Sequence, residues 1–246
     1  MIHTIKKLIS SLFIQTQIIS PFTKDLDGKV VIITGGSGKI GTSIGKALVR
    51  EGATVVNISR TVRSNLVYTE SISADITNKK QIEQAIKQIV NTYGKIDVLI
   101  NNAGIFLDKK IESITEKECA DIVDVNIYGP INMATLVVPH MKKQKSGTII
   151  NIGSKISHNS NVAPHKVLYA MSKYALEGFS LALSKELHGT GIRSSCLMIG
   201  TANTFVSIKS KDYMSPENVG FIISMIIKCE DLDFESILIK STRQKI

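Results

Sequence analysis

Tyr169 and Lys173 stand four residues apart in the segment Tyr169-Ala170-Met171-Ser172-Lys173. Inside a helix, that spacing puts both side chains on one face. An ammonium beside a phenol favours the phenolate and draws the tyrosine pKa down from about 10 toward a range useful for proton transfer. Such a pair arises by chance on many helices, so its meaning depends on what surrounds it. Ser154 closes an apolar run, Asn101-Asn102-Ala103-Gly104 closes another, and Thr34-Gly35-Gly36-Ser37-Gly38-Lys39-Ile40-Gly41 follows the first. A glycine-rich turn between a strand and a helix brings backbone amides and a helix N-terminus to a pyrophosphate.

The elements that must position these residues alternate along the chain. Continuous Val/Ile runs predict strands at Lys29 to Thr34, Ala53 to Ile58, a short stretch ending near Ser73, Ile96 to Asn101, Thr148 to Ile152, Ile192 to Met198 and Ser236 to Lys240. Between them, helical periodicity covers Lys39 to Glu51, Asn78 to Tyr93 with Gly94 as its stop, Thr115 to about Lys143, a helix through Tyr169 to His188, and residues 217 to 228 after Ser215-Pro216. Unbroken apolar strands joined by helices predict an α/β fold: a doubly wound, Rossmann-like three-layer sandwich with a seven-stranded parallel sheet. Ligand is then expected at the carboxyl ends of the strands.

Composition narrows the class. A chain of 246 residues with 43% hydrophobic content can bury one substantial core, so residues 28–246 read as a single nucleotide-binding domain. Cys119, Cys196 and Cys229 are far apart, with no metal or redox spacing, and read as ordinary buried thiols of a reducing, cytoplasmic compartment. The formal charge of +9 is spread over scattered lysines interrupted by acids, with no basic helix and no Trp. That pattern argues against nucleic acid and for a solvated surface that favours anionic substrates. Residues 1 to 24 hold no acid, and Ile5, Leu8, Ile9 and Leu12 recur at helical spacing. The segment 1–27 therefore reads as an amphipathic extension. Packing on the domain, contact with a membrane surface or targeting, and a disordered tail all stay open for it.

Taken in order, the glycine-rich turn, Asp75, Asn101-Asn102-Ala103-Gly104, Asn126, Ser154 and Tyr169 to Lys173 resemble the short-chain dehydrogenase/reductase family in its compact single-domain branch. The likeness runs from about Lys29 to Val219 and is greatest to 3-oxoacyl-carrier-protein reductases and carbonyl reductases. It implies a catalytic set of Asn126, Ser154, Tyr169 and Lys173. Tyr169 would give its proton to a carbonyl oxygen as hydride reaches the carbon, and Ser154 would hold the same oxygen. Lys173 would steady the phenolate and the nicotinamide ribose, while Asn126 would hold a water leading to solvent. The resemblance also implies a homodimer or homotetramer built on the helices bearing Asn126 and Tyr169.

For the cofactor, the expected contacts are Gly35, Ser37, Gly38, Lys39, Ile40, Gly41, Ser59, Arg60, Asp75, Asn102, Ala103, Gly104, Tyr169, Lys173, Gly200 and Thr204. Ser59-Arg60, with Arg63 beyond, replaces the acid that would accept the ribose hydroxyls of NAD, so NADP(H) is favoured over NAD(H). Asp75 matches the family's acid at the adenine. Lys39 stands where the family keeps a glycine, Ile199-Gly200 replaces its Pro-Gly, and Thr190 replaces a basic residue used for carrier docking. The expected activity is hydride transfer between NADP(H) and a small carbonyl or alcohol substrate. An NAD-linked sugar or alcohol dehydrogenase and a non-catalytic NADP-binding regulator remain the alternatives.

Overall fold

The chain is described by a computed structural model over residues 26–62, 68–158, 162–200 and 214–241. Among the described residues the seven strands are β1 Val30–Thr34, β2 Thr54–Ser59, β3 Glu70–Ser73, β4 Val98–Asn101, β5 Gly147–Ser154, β6 Ile192–Ile199 and β7 Ser236–Ile239. They form one sheet in the order β3-β2-β1-β4-β5-β6-β7, with every neighbouring pair parallel. The order reverses between β1 and β4, which opens a crevice above their carboxyl ends. The doubly wound fold expected from the sequence is therefore the one observed.

The helices are α1 Lys39–Arg50, α2 Lys79–Tyr93, α3 Glu116–Val123, α4 Gly129–Gln144, α5 Val167–Leu187 and α6 Pro216–Lys228. Their ends follow local chemistry. Asn78 caps α2 by accepting from Gln81 N, and Gly94 closes it at φ 75°. Ser215 caps α6 through Asn218 N. Thr115 and Glu118 form a reciprocal capping box on α3.

Because side chains alternate along each strand, the sheet divides the core in two. Val31, Ile33, Val55 and Leu197 pack with Ile44 and Leu48 of α1 and with Val219 and Ile223 of α6. Val30, Ile32, Leu99 and Ile149 pack on the opposite face with Ile82 and Ile86 of α2 and Met133 and Val137 of α4. Leu26 is buried in the α1 face and donates its N–H to Glu51 O, so it belongs to the folded domain. Asp27 beside it is exposed, and residues 1–25 of the amphipathic segment lie outside the described residues.

Several boundaries differ from expectation for visible reasons. β4 begins at Val98, not Ile96, because Gln144 takes both the N–H and the C=O of Ile96 with its side-chain amide. The single helix expected from Thr115 to Lys143 is a continuous run from Glu116 to Gln144, interrupted by a π-helical stretch at Asp124–Tyr128. That run is long and apolar enough to cross a membrane by length and composition, but here it packs on α2, β4 and β5. Of the three free cysteines only Cys196 is buried; Cys119 and Cys229 are half-buried, which corrects the expectation of three buried thiols.

Candidate active site

The glycine turn sits at the end of β1. Gly35 adopts φ 66° and donates to Ile58 O, while Gly38 donates back to Gly35 O at 3.2 Å. Small size is required here as well as conformation. A Cβ on Gly35 would lie 2.8 Å from Ala103 Cα, and one on Gly41 would lie 2.7 Å from Gly35 O. The N-terminus of α1 has no side-chain cap and no acid in its first turn, so its amides and dipole are left to an anion. Lys39, the first helical residue, is exposed and adds a cation at the same edge.

Above this turn lies a cleft of about 490 Å³, lined by Gly35, Ser37, Gly38, Lys39, Ile40, Gly41, Ser59, Arg60, Asp75, Asn102, Ala103 and Gly104. Sequence reasoning named all of these. Ile58, Thr61, Ala74, Ile76, Ile105 and Val125 complete the lining. The open cradle of glycines, the uncapped helix end and the guanidinium of Arg60 fit an elongated diphosphate-bearing nucleotide.

Ser37 and Ser59 share a hydroxyl hydrogen bond of 2.8 Å at the end of β2, and both reach Thr61 O. Asp75 Oδ1 accepts from the N–H and the hydroxyl of Thr77, each at 2.9 Å, which fixes its carboxylate at the rim. Gly200 closes β6 by donating to Ile239 O at 2.7 Å and does not line the cleft. Thr204 and Arg63 lie outside the described residues.

Four side chains meet beside the far end of this cleft. Ser154 is the last residue of β5, and Tyr169 and Lys173 stand on α5. Lys173 is buried and donates to Ile152 O at 2.9 Å, with its Nζ 5.8 Å from the Tyr169 ring centre. Burial lowers its pKa to about 8. Burial also raises the Tyr169 phenol above its usual value, and a hydrogen bond from Ser154 draws it partly back. The expected lowering by Lys173 is thus not what the geometry produces. The ammonium is turned to a backbone carbonyl, and Ser154 supplies the opposing pull.

Asn126 owes its position to the π-helical stretch. Its Oδ1 accepts from Ile105 N at 2.8 Å, and its Nδ2 donates to Ile105 O at 2.9 Å and to Ser172 Oγ at 3.0 Å. It therefore ties the loop after β4 to α5, next to Lys173. Gly104 bridges the two halves of the site: a Cβ there would lie 3.3 Å from Asn126 Oδ1 and 3.7 Å from Lys173 Nζ. It also lines the cleft.

Sequence reasoning missed the supports beneath these groups. Thr34 Oγ1 accepts from the N–H of both Asn102 and Ala103, and Asn102 Nδ2 donates to Thr34 O and Gly35 O. Asn57 Oδ1 accepts from Gly36 N. A polar residue inside the apolar run of β2 was the available signal. Beside the phenol, the exposed ring of Phe106 stands edge-on to Tyr169 with centres 4.9 Å apart, and Lys166 Nζ lies 5.6 Å from the Phe106 centre. Lys109 N donates to His165 O, which joins the loop after β4 to the one before α5.

A parallel sheet, a glycine cradle at its switch point and a Ser-Tyr-Lys cluster together define a dinucleotide-dependent oxidoreductase. Residues 29–214 match the model of the short chain dehydrogenase family. The chain is 35% identical over 176 residues to a 3-ketodihydrosphingosine reductase of Bacteroides thetaiotaomicron, covering 72% of this chain and 65% of that protein. It is 34% identical over 189 residues to a 3-oxoacyl-(acyl-carrier-protein) reductase of Thermotoga maritima, covering 73% and 76%. Among solved structures, the aldohexose dehydrogenase of Thermoplasma acidophilum superposes with a TM-score of 0.81 at 25% identity, covering 90% of this chain and 96% of that one. The chain belongs to the short-chain dehydrogenase/reductase family, NAD(P)-binding oxidoreductases of carbonyl and alcohol groups.

Proposed function

We propose that the protein reduces a ketone or aldehyde with NADPH, with Tyr169 as the proton donor. The observation that carries this reading is the cluster in which Ser154 hydrogen-bonds Tyr169 and Lys173 lies beside that ring, with Lys173 Nζ also close to Gly104 of the nucleotide cleft. A bound reduced nicotinamide supplies the hydride. The substrate carbonyl oxygen lies between Ser154 Oγ and Tyr169 Oη, which orient it and disperse its growing charge. As the carbon gains hydride, the Tyr169 proton passes to the oxygen, and the product is the alcohol and a phenolate. Lys173, held by Ile152 O with its Nζ 5.8 Å from the Tyr169 ring centre, favours that phenolate through its charge when protonated, an effect that grows as the phenolate forms. Asn126 holds the loop after β4 against α5, so the cleft and the proton donor keep one geometry.

Support for NADP over NAD comes from the end of β2. Arg60 is exposed on the cleft wall, Ser37 and Ser59 place hydroxyls beside it, and no acid stands at the strand end to receive the ribose. Support for reduction comes from the two curated relatives, both named as reductases. A second reading, an NAD-linked sugar dehydrogenase, draws on the Thermoplasma structure.

NADPH and NADH consumption, followed by absorbance over a panel of ketones, oxoacyl thioesters and aldehydes, tests these readings. Turnover with NADPH is expected, and Tyr169→Phe should lower it at least ~1,000-fold while NADPH still binds. Arg60→Ala should weaken NADPH about tenfold and leave NADH within about twofold. Tight cofactor binding with no turnover on any carbonyl would overturn the reading, and a preference for NADH with sugars would install the second one.

A further inference from the structure

Tyr68 lies two residues before β3, on the connection from β2, and covers part of the sheet face that α1 also covers. Its half-buried ring packs against the core formed by α1 and the sheet, and it stands so close to Gly45 that a Cβ there would overlap the ring.

The ring places its hydroxyl directly beneath the glycine turn. Tyr68 Oη lies 2.8 Å from Gly36 O and 2.7 Å from Gly41 O. Burial pushes the phenol far above its usual value, so it remains a donor at any working pH. Thr42 Oγ1 donates to Gly36 O at 3.0 Å and also hydrogen-bonds Tyr68. From the other side, Asn57 Oδ1 accepts from Gly36 N at 2.9 Å. Two hydroxyl protons are thus shared among the Gly36 carbonyl, the Gly41 carbonyl and the contact between the two hydroxyls, and both ends of Gly36 are held by side chains.

That fixation has a geometric consequence. Among the described residues no peptide is cis, and in a planar trans peptide the C=O and the following N–H point in opposite directions. With the Gly36 carbonyl drawn inward to Tyr68 and Thr42, the N–H of Ser37 is turned outward. Ser37 lines the nucleotide cleft. Were this peptide to flip, a carbonyl dipole would face the cofactor phosphates in place of an amide donor.

We propose that Tyr68 is a positioning residue of the dinucleotide site, whose hydroxyl holds the Gly36 carbonyl inward and so presents the Ser37 amide to the cofactor diphosphate. This deepens the cofactor reading above and rests on it. Tyr68 touches no part of the cofactor; it acts through the Gly36–Ser37 peptide. The assignment also accounts for Gly45, whose lack of a side chain leaves room for the ring that delivers the hydroxyl.

Tyr68→Phe keeps the ring and removes only the hydroxyl. Fluorescence titration should show the Kd for NADPH rising about tenfold, and the Kd for ADP, which keeps the diphosphate and lacks the nicotinamide half, rising by a similar factor. In turnover the loss should fall on the KM for NADPH, with kcat at saturating cofactor reduced less than about twofold. Thr42→Val removes the second donor and should raise the Kd for NADPH about threefold. The double variant should lose more than the product of the two, because both hydroxyls serve one carbonyl. If Tyr68→Phe binds NADPH and ADP as the wild type does, the assignment is overturned. If Tyr68→Phe does not fold, an unchanged Kd in Thr42→Val overturns it equally. A wild-type protein that binds neither NADPH nor NADH defeats the cofactor reading itself, which is a distinguishable result.

Discussion

Proton transfer at Tyr169 depends on two titrations that environment has moved in opposite directions. Burial raises the phenol, so it stays protonated as a donor through neutral pH. Burial lowers Lys173 to about 8, so its cation, which steadies the phenolate, is lost as pH rises through that value. Reductive kcat/KM is therefore expected to be level at neutral pH and to fall with a slope of one proton above about pH 8. Lys173→Arg keeps its charge at all accessible pH, so the residual rate of that variant should lack the limb near 8. A limb unchanged in Lys173→Arg would assign the titration elsewhere. These residues were readable in the sequence because helical spacing joins Tyr169 to Lys173 and because chain order adds Ser154 and Asn126. Thr34, Asn57 and Tyr68 were not. Each owes its role to a partner 20 to 70 residues away, such as Asn102 N on Thr34 Oγ1, and no local pattern records that pairing.

At the scale of elements, α1 carries the glycine turn and must be held in place along its length. Its C-terminal cap, Glu51, is buried and lies 2.6 Å from Lys228 Nζ at the end of α6, with Ser224 Oγ 2.7 Å from each carboxylate oxygen. A little further up the pair, a Cβ on Gly220 would lie 2.7 Å from Ser43 O, so the two helices approach at backbone distance. Glu51→Ala takes the anion from a nearly buried ammonium and is expected to cost about 3 kcal/mol. The loss should appear as a lower urea midpoint at an unchanged m-value. Glu51→Gln, whose amide oxygen can still accept from Ser224, should cost less. A midpoint shift in Glu51→Ala worth under about 1 kcal/mol would show that packing alone holds the pair. Most elements were legible from their ends, since Asn78, Gly94 and Ser215 act where capping chemistry puts them. The π-helical stretch was not legible. It follows from tertiary demands: Asn126 has to reach Ile105 and Ser172 while Gly129 packs against Ile76, and a regular helix would not satisfy both.

Across the whole molecule, the helix bearing the proton donor has a second face with its own chemistry. Tyr169 and Lys173 turn inward, while Val167, Met171 and Tyr174 recur at i, i+4 and i+7 on α5 and are each about half exposed. Tyr128, at the end of the π-helical stretch, adds an exposed aromatic on the neighbouring run. A stripe of this kind, on a chain with a formal charge of +9, sets apolar attraction against like-charge repulsion between copies. The occupant expected here is a second copy of the chain, because a two-fold axis would pack α5 on its own mate and bury the stripe against itself. Sedimentation should then give a dimer or tetramer at micromolar concentration, tighter at higher salt as the repulsion is screened. Met171→Glu would place two carboxylates near that axis and should raise the dissociation constant at least ~100-fold without unfolding the protomer, since Met171 lies outside both core clusters. A wild-type chain that sediments as a monomer across that range would leave the stripe without this role. An oligomer unmoved by Met171→Glu would place the contact on another face.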